Sequence, residues 1–276
     1  MTTRTISNLS PELTNILFEL GNRKLVFLEG KDDVEIFEEW FSEQLGNIYF
    51  HDAGGCENVK TYLNKTLELS SKKEIYGIID RDFHTDEEVD NSLNNELNHL
   101  FILILSEIEN YLLEPVALWE ELKIYPTKSS FKIKITDSIS MEKGLLKICN
   151  KLITIVAANL LLHKESTREK YFTFGHSIEH RENIIQQTAK KLNWEFAETE
   201  QKIIKQENLI ESKLDSLDNA YKIIDGKRIL NQIMLEYTSE PKTAKRIEHL
   251  RKLLGRRTKK EIHKDILFII QERILL

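Results

Sequence analysis

Glu29, Asp80 and Asp82 are the residues of this sequence best placed to do chemistry together, because each comes at or just after the end of a short apolar run of the kind that forms a buried strand. Leu25-Val26-Phe27-Leu28 leads into Glu29, Ile75-Tyr76-Gly77-Ile78-Ile79 into Asp80-Arg81-Asp82, and Leu100 to Leu105 into Ser106-Glu107-Ile108-Glu109. Acids gathered at one edge of a sheet repel one another and raise their own pKa values unless a cation lies among their oxygens. An all-oxygen set without His or Cys suits Mg²⁺ or Mn²⁺ rather than zinc. Asp33, a short step past Glu29, and Glu109 are further candidate ligands. Side chains alternate along an extended chain, so the carboxylates of Asp80 and Asp82 are expected on one side, able to share an ion or bracket a pair. Gly30 is expected to let the chain bend tightly after Glu29, with Asp32 or Asp33 capping the helix that follows.

Each feature also has a plainer explanation. Asp80-Arg81-Asp82 fits an ordinary strand-end turn, since Asp favours such positions. Asp32 and Asp33 fit capping residues as well as they fit ligands, and Glu107 fits a solvent-facing acid beside a participating Glu109. The coincidence of acids at three strand ends is what favours chemistry.

The elements that must position these acids follow a β-α-β-α pattern. Val34, Phe37, Trp40, Phe41 and Leu45 recur at helical spacing after the first strand. Asn47 to His51 reads as a second strand, followed by Asp52-Ala53-Gly54-Gly55 and an amphipathic run through Val59, Tyr62, Leu63 and Leu67. Strands alternating with helices of this length imply right-handed crossovers and a parallel sheet, and ligands of such sheets bind outside the carboxyl ends of the strands. Asp86 to Asn98 is acidic and Asn-rich and is expected to form a surface loop or frayed helix. Beyond Pro115 helical patterns dominate: Val116–Leu122, Met141–His163, Ile178–Leu192, Phe196–Leu217, Tyr221–Tyr237, Thr243–Leu254 and Glu261–Leu276. Phe131 to Ile135 alone alternates as a half-exposed strand would. These patterns predict an α/β domain over residues 1–125 and a mainly helical part over residues 126–276.

The 276 residues carry few breakers, 10 Gly and 4 Pro, which favours helix and leaves no room for long flexible linkers. Cys56 and Cys149 lie far apart without zinc or disulfide spacing and are expected to be buried free thiols. Nor do the histidines, His176 and His180 included, form a metal-ligand pattern. The start of the chain, Met1 to Ser7, lacks a basic-then-apolar signal, and the apolar run Leu152 to Leu162 is interrupted by Asn159 and short for a bilayer, so a cytoplasmic protein without a membrane partner is expected. Net charge is −6, yet between Pro241 and Lys264 ten Lys/Arg face two Glu. Lys245, Arg246, Arg251, Lys252, Arg256, Arg257, Lys259 and Lys260 are therefore candidate contacts to a nucleic-acid backbone, or else a solvated helix face.

Leu25 to Asp33, then Gly54-Gly55, then Ile78-Ile79-Asp80-Arg81-Asp82 resembles the TOPRIM motif of primases, topoisomerases and OLD-family nucleases, in order and in spacing. The resemblance covers roughly the first 110 residues and implies a TOPRIM-type parallel sheet flanked by helices. It further implies that Glu29, Asp80 and Asp82 organise Mg²⁺ for phosphoryl transfer, with Asp33 as the added acid of OLD-type members. More narrowly, Glu107 to Pro115 together with Asp225-Gly226-Lys227 resembles the TOPRIM family that includes AriB, the toxic effector of the PARIS anti-phage system. That resemblance implies an endoribonuclease that cleaves tRNA, restrained by an ABC-type ATPase partner of the AriA kind and self-associating as a homodimer when free. Lys227 is then, by analogy with OLD nucleases, a candidate to stabilise charge on the phosphate, against the alternative of a surface Lys after a helix-breaking Gly.

Glu29, Asp80 and Asp82, with Asp33 and Glu109 in support, are thus expected to hold one or two ions that orient a scissile phosphate. Other readings remain open at this level: a DNA nuclease or nickase of OLD type, a non-catalytic TOPRIM-like scaffold docking through the apolar C-terminus, or a receiver domain. A receiver domain, however, carries its acidic pair after the first strand, the reverse of the order here. No Walker A loop occurs, so any ATP-driven step belongs to another chain.

Overall fold

The computed structural model describes residues 11–69, 74–165, 171–173, 178, 180–239 and 243–276. The expectations for Met1 to Ser7, His176, Pro241 and Lys242 lie outside the described residues. The chain forms two compact units: the first holds the chain up to Ile104 together with Gly255–Leu276, the second Leu105–Leu254. The expected boundary at residue 125 lies inside the second unit, and the last stretch of the expected helical part belongs to the first.

The first unit is α/β. Its elements are α1 (Pro11–Glu19), β1 (Lys24–Leu28), α2 (Lys31–Trp40), β2 (Ile48–Asp52), α3 (Cys56–Leu69), β3 (Ile75–Ile79), α4 (Asp86–Asn94) and β4 (Leu100–Ile102). The four strands make one all-parallel sheet in the order β2-β1-β3-β4. Leu25 to Leu28 are no more than 1% exposed, which is why this strand reads as a continuous apolar run rather than an alternating one. Phe37 of α2 and Phe41 just past its end pack with Phe50 of β2, while α3 lies so close to the sheet that a Cβ on Gly77 would stand 2.8 Å from Val59 Cγ1. The chain moves from β1 outward to β2, then crosses back past β1 to β3. That reversal makes the crevice beyond the carboxyl ends of β1 and β3 a topological switch point.

Asp86 to Asn98, expected as a loop or frayed helix, begins as the ordered helix α4. Thr85 caps it, its hydroxyl accepting from Glu88 N while the Glu88 side chain reaches back to Thr85 N. The acidic first turn, which suggested a loop, is what a helix N-terminus favours.

The second unit is helical: α5 (Ile108–Leu112), α6 (Pro115–Ile124), α7 (Ser129–Lys134), α8 (Ser138–Glu165), α9 (Arg181–Leu192), α10 (Phe196–Glu211), α11 (Leu217–Tyr221), α12 (Gly226–Glu236) and most of α13 (Ala244–Thr258). The strand expected at Phe131 to Ile135 is instead α7. A strand would put Phe131, Ile133 and Ile135 on one face, but Phe131 and Ile135 are buried while Ile133 is 79% exposed, the pattern of residues one helical turn apart. Helix α8 is the core of this unit and packs against α6, α9, α10, α11 and α12. It is longer than the expected apolar run and, by length and composition, long and apolar enough to cross a membrane; 67% of its apolar window is buried inside the protein.

The chain ends in the first unit with α14 (Lys264–Leu267), continued as a π-helix over Phe268–Ile274. Ile266, Ile269, Ile270 and Ile274 are buried and belong to the core, while Leu267, Phe268 and Leu275 are half-buried and Leu276 is exposed. Arg273 donates to the carbonyls of Leu93 and Asn95 at the end of α4.

Candidate functional site

At the switch point the backbone itself brings the first two acids together. Ala53 N donates to Leu28 O at 2.9 Å and Gly55 N to Glu29 O at 2.6 Å, so the loop after β2 lies along the end of β1. That path needs the left-handed backbone of Gly54 (φ 76°) and Gly55 (φ 122°), which glycine adopts without steric cost; Asp52 Oδ1 accepts Gly54 N and closes the turn. On the other side of β1, the register runs from Leu25↔Ile75 to Phe27↔Gly77 and sets the carboxyl ends of β1 and β3 side by side. The Glu29 carboxylate meets the next peptide there: Asp80 N donates to Glu29 Oε1 at 2.8 Å.

Asp33 is buried and held. Its Oδ2 accepts Gly30 N at 2.9 Å, which folds the carboxyl back over the turn that follows Glu29. The N-cap of α2 is therefore Gly30, with Asp33 at N3 in the reciprocal half of a capping box; neither Asp32 nor Asp33 is the N-cap. Gly30 itself is extended (φ −144°, ψ 160°), a conformation open to any residue, so the expected need for glycine freedom falls on Gly54 and Gly55 instead.

Asp80 and Asp82 do not share a side by strand alternation. Strand β3 ends at Ile79, and Asp82 is left-handed (φ 44°), a conformation Asp tolerates better than most residues. A turn closed by His84 N donating to Arg81 O reverses the chain. Asp80 is buried and Asp82 exposed. Glu29 and Asp82 both bear electrostatically on one thiol. The Cys56 thiol, first residue of α3, is pushed above its ordinary value by burial, then by the charge of Glu29, with Asp82 adding to it and Lys60 opposing. Among the described residues no three His, Cys, Asp or Glu form a ready-made metal seat. The residues expected as ligands here, Glu29, Asp80, Asp82 and Asp33, are all carboxylates, a donor type that suits a hard divalent ion.

Cys56, expected as a buried free thiol, is half-buried and outside any disulfide; sequence reasoning missed Lys60, which shares with it the first turns of the helix after Gly54-Gly55. Lys60 Nζ is held at 3.1 Å from Glu57 Oε1.

Glu107, Glu109, Lys227 and Arg251 belong to the second unit and form their own cluster. Glu107, for which the sequence makes a solvent-facing place the plainer of two readings, is 3% exposed. Its Oε2 accepts Lys227 N at 3.0 Å at the start of α12, and Lys227 Nζ stands 3.4 Å from Glu107 Oε1 and 3.6 Å from Glu109 Oε2. Burial pushes the Glu107 carboxyl up to about 8; Lys227 pulls against this, and Asp225 and Glu109 push with it. Glu109 Oε1 takes Arg251 NH1 at 3.2 Å. The two oxygens of Glu109, a residue expected to bind metal, thus already face cations. Lys227 is half-buried rather than a plain surface lysine. The approach is close: a Cβ on Gly226 would lie 2.6 Å from Asn110 N and 2.7 Å from Glu109 Cβ.

The basic run divides. Arg251, expected among the phosphate contacts, is buried against Glu109. The signal was its place beside Ile247, Leu250 and Leu254, a charge on the apolar face of α13. Lys252 pairs with Glu248 at 2.9 Å, and Arg256 and Lys259 both approach Glu39, at 3.7 and 3.8 Å. Lys245, Arg246, Arg256 and Lys260 are exposed and Arg257 is half-buried.

No family model matches the chain, and no curated protein matches it.

Proposed function

We propose that the chain is a Mg²⁺- or Mn²⁺-dependent nuclease of TOPRIM type, and that Glu29, Asp80 and Asp82, with Asp33 in support, hold the ion. The observation that carries this reading is the Glu29 carboxylate accepting the Asp80 amide at 2.8 Å across the switch point of a parallel sheet. When bound, the ion supplies charge stabilisation for the entering and leaving oxygens of an in-line displacement at phosphorus. The protein's part is orientation. The Asp80 N–H fixes the rotamer of Glu29, Gly30 N–H fixes that of Asp33, and the exposed Asp82 stands on the solvent side, where substrate arrives. Exposed Lys245, Arg246, Arg256 and Lys260 are suited to contact a phosphate backbone, an interaction that positions substrate without reading its bases.

The substrate favoured is RNA, tRNA in particular, and the role a toxic anti-phage effector in the cytoplasm, restrained by an ABC-type ATPase and homodimeric when released. This finer assignment rests on the resemblance of Glu107 to Pro115 and of Asp225-Gly226-Lys227 to the AriB-containing family.

The test is incubation of purified protein with tRNA, other RNA and plasmid DNA, with Mg²⁺ or with chelator. Glu29→Gln and Asp80→Asn should stay folded and lose divalent-dependent cleavage by more than the ~10–100-fold that losing a supporting contact costs. Cleavage of DNA alone would move the assignment to an OLD-type DNA nuclease. Full activity in both variants would end the nuclease site, and metal-independent partner binding without cleavage would favour a scaffold.

A further inference from the structure

We propose that Arg81 is a positioning residue of the carboxylate centre, acting on Asp80 and Asp82 through the backbone between them; the inference rests on the metal-site reading above. Arg81 interrupts the acidic pair, where a cation would be expected to neutralise its neighbours. Its guanidinium goes elsewhere. NH1 donates to Ile104 O at 2.9 Å, just past β4, and NH2 pairs with Asp86 Oδ1 at the first residue of α4. The side chain is 9% exposed, so both bonds hold a charge that has left water, and their loss is costly.

The consequence is geometric. Between Ile79, where the ladder with β4 ends, and Thr85, where the α4 cap begins, the chain is pinned at three points: Asp80 N on Glu29, the Arg81 side chain on Ile104 and Asp86, and His84 N on Arg81 O. Arg81 ties this loop to the end of one strand and the start of the next helix, and so sets the direction in which the flanking carboxylates leave the backbone. Lysine cannot replace it, because one ammonium on a flexible stem does not span two acceptors as a planar fork does. Asp86 is 74% exposed, so the Asp86 arm is the weaker of the two.

The experiment is Mn²⁺ binding to the full chain, read by the electron paramagnetic resonance signal of the free ion, with circular dichroism as a check on folding. Arg81→Met should weaken Mn²⁺ binding ~10–100-fold, as loss of a supporting contact does. Arg81→Lys should fall between wild type and Arg81→Met, and Asp86→Asn should weaken binding less than either. The Mg²⁺ concentration for half-maximal cleavage should rise in the same order, with the turnover at saturating Mg²⁺ partly recovered, a pattern that mere loss of fold would not give. If Arg81→Met does not fold, Arg81→Lys and Asp86→Asn carry the comparison. Mn²⁺ binding unchanged in folded Arg81 variants, while Glu29→Gln and Asp80→Asn lose it, overturns the role of Arg81 alone. Unchanged binding in Glu29→Gln and Asp80→Asn overturns the site and this inference with it.

Discussion

The carboxylate of Glu29 accepts the main-chain N–H of Asp80 at 2.8 Å, although the two residues are 51 positions apart in the chain. The bond joins the ends of two adjacent parallel strands where loop and helix N-terminus converge, and orients the Glu29 carboxylate. It makes Glu29→Gln the most informative substitution, because the amide oxygen can keep the contact to Asp80 while the charge is lost.

That charge can be read without any activity. Burial is the main reason the Cys56 thiol lies above its ordinary value, and the charges of Glu29 and, less strongly, Asp82 add to it, so Glu29→Gln and Asp82→Asn should each make Cys56 alkylate at lower pH than in wild type, the first by more. The other thiol, Cys149, is buried and pushed up to about 12, so it will not compete. An iodoacetamide rate profile against pH, resolved by peptide mapping, checks this; superimposable profiles would separate Asp82 or Glu29 from the site.

Glu107 gives a pH dependence with a defined sign. Its carboxyl is raised from 4.5 to about 8 in the folded protein, so between these values the folded state holds a proton that the unfolded chain releases. Stability should therefore fall as pH rises from 4.5 to 8, by a slope of up to about one proton, and the penalty should be complete above 8 and absent below 4.5. Urea midpoints for wild type and Glu107→Gln across this range should converge in acid and diverge in alkali, with the variant losing less.

Gly226→Ala should destabilise the second unit by about 1–3 kcal/mol, because the new methyl would meet the backbone of Asn110 and the Cβ of Glu109, neither of which can swing aside. Gly30→Ala is the control: its backbone is extended and its nearest new contact, Asp33 Oδ2 at 3.5 Å, is ordinary. Thermal unfolding of the two variants should show a clear loss in the first and a small one in the second.

Neutralising Lys245, Arg246, Arg256 and Lys260 together should weaken nucleic-acid binding and flatten its dependence on log salt by up to about 0.9 for each phosphate contact removed. Arg251→Ala should act differently, costing up to about 3–5 kcal/mol of stability by removing one of the two cations that face the buried Glu109 carboxylate. Filter binding at several salt concentrations and urea denaturation separate the two effects; an unchanged salt slope in the quadruple variant would remove the basic run from substrate binding.

The all-parallel α/β unit was legible in the chain because its determinants are local. Apolar runs such as Leu25 to Leu28 mark buried strands, helical spacing marks α2 and α3, and the alternation of the two kinds leaves a parallel sheet as the economical solution. The same locality misled where two periods overlap. Phe131, Ile133 and Ile135 alternate as a strand does, yet Phe131 and Ile135 are also one helical turn apart, and burial of those two alone decided for α7.

By itself the sequence determined which residue types stand at the strand ends, and so the chemistry open to them: hard oxygen donors after β1 and β3, glycines where the chain must turn left-handed, and a basic run near the end. Only the tertiary structure decided how those groups are spent. It brought the Glu29 carboxylate onto the Asp80 amide, turned Asp82 out of strand geometry, buried Glu107 with Lys227, and took Arg251 out of the basic face to pair with Glu109. The reason is physical: periodicity follows from backbone geometry and is carried by near neighbours, whereas the state of a charge depends on what packs against it, and its partners are separated in the chain by 51 to 142 positions.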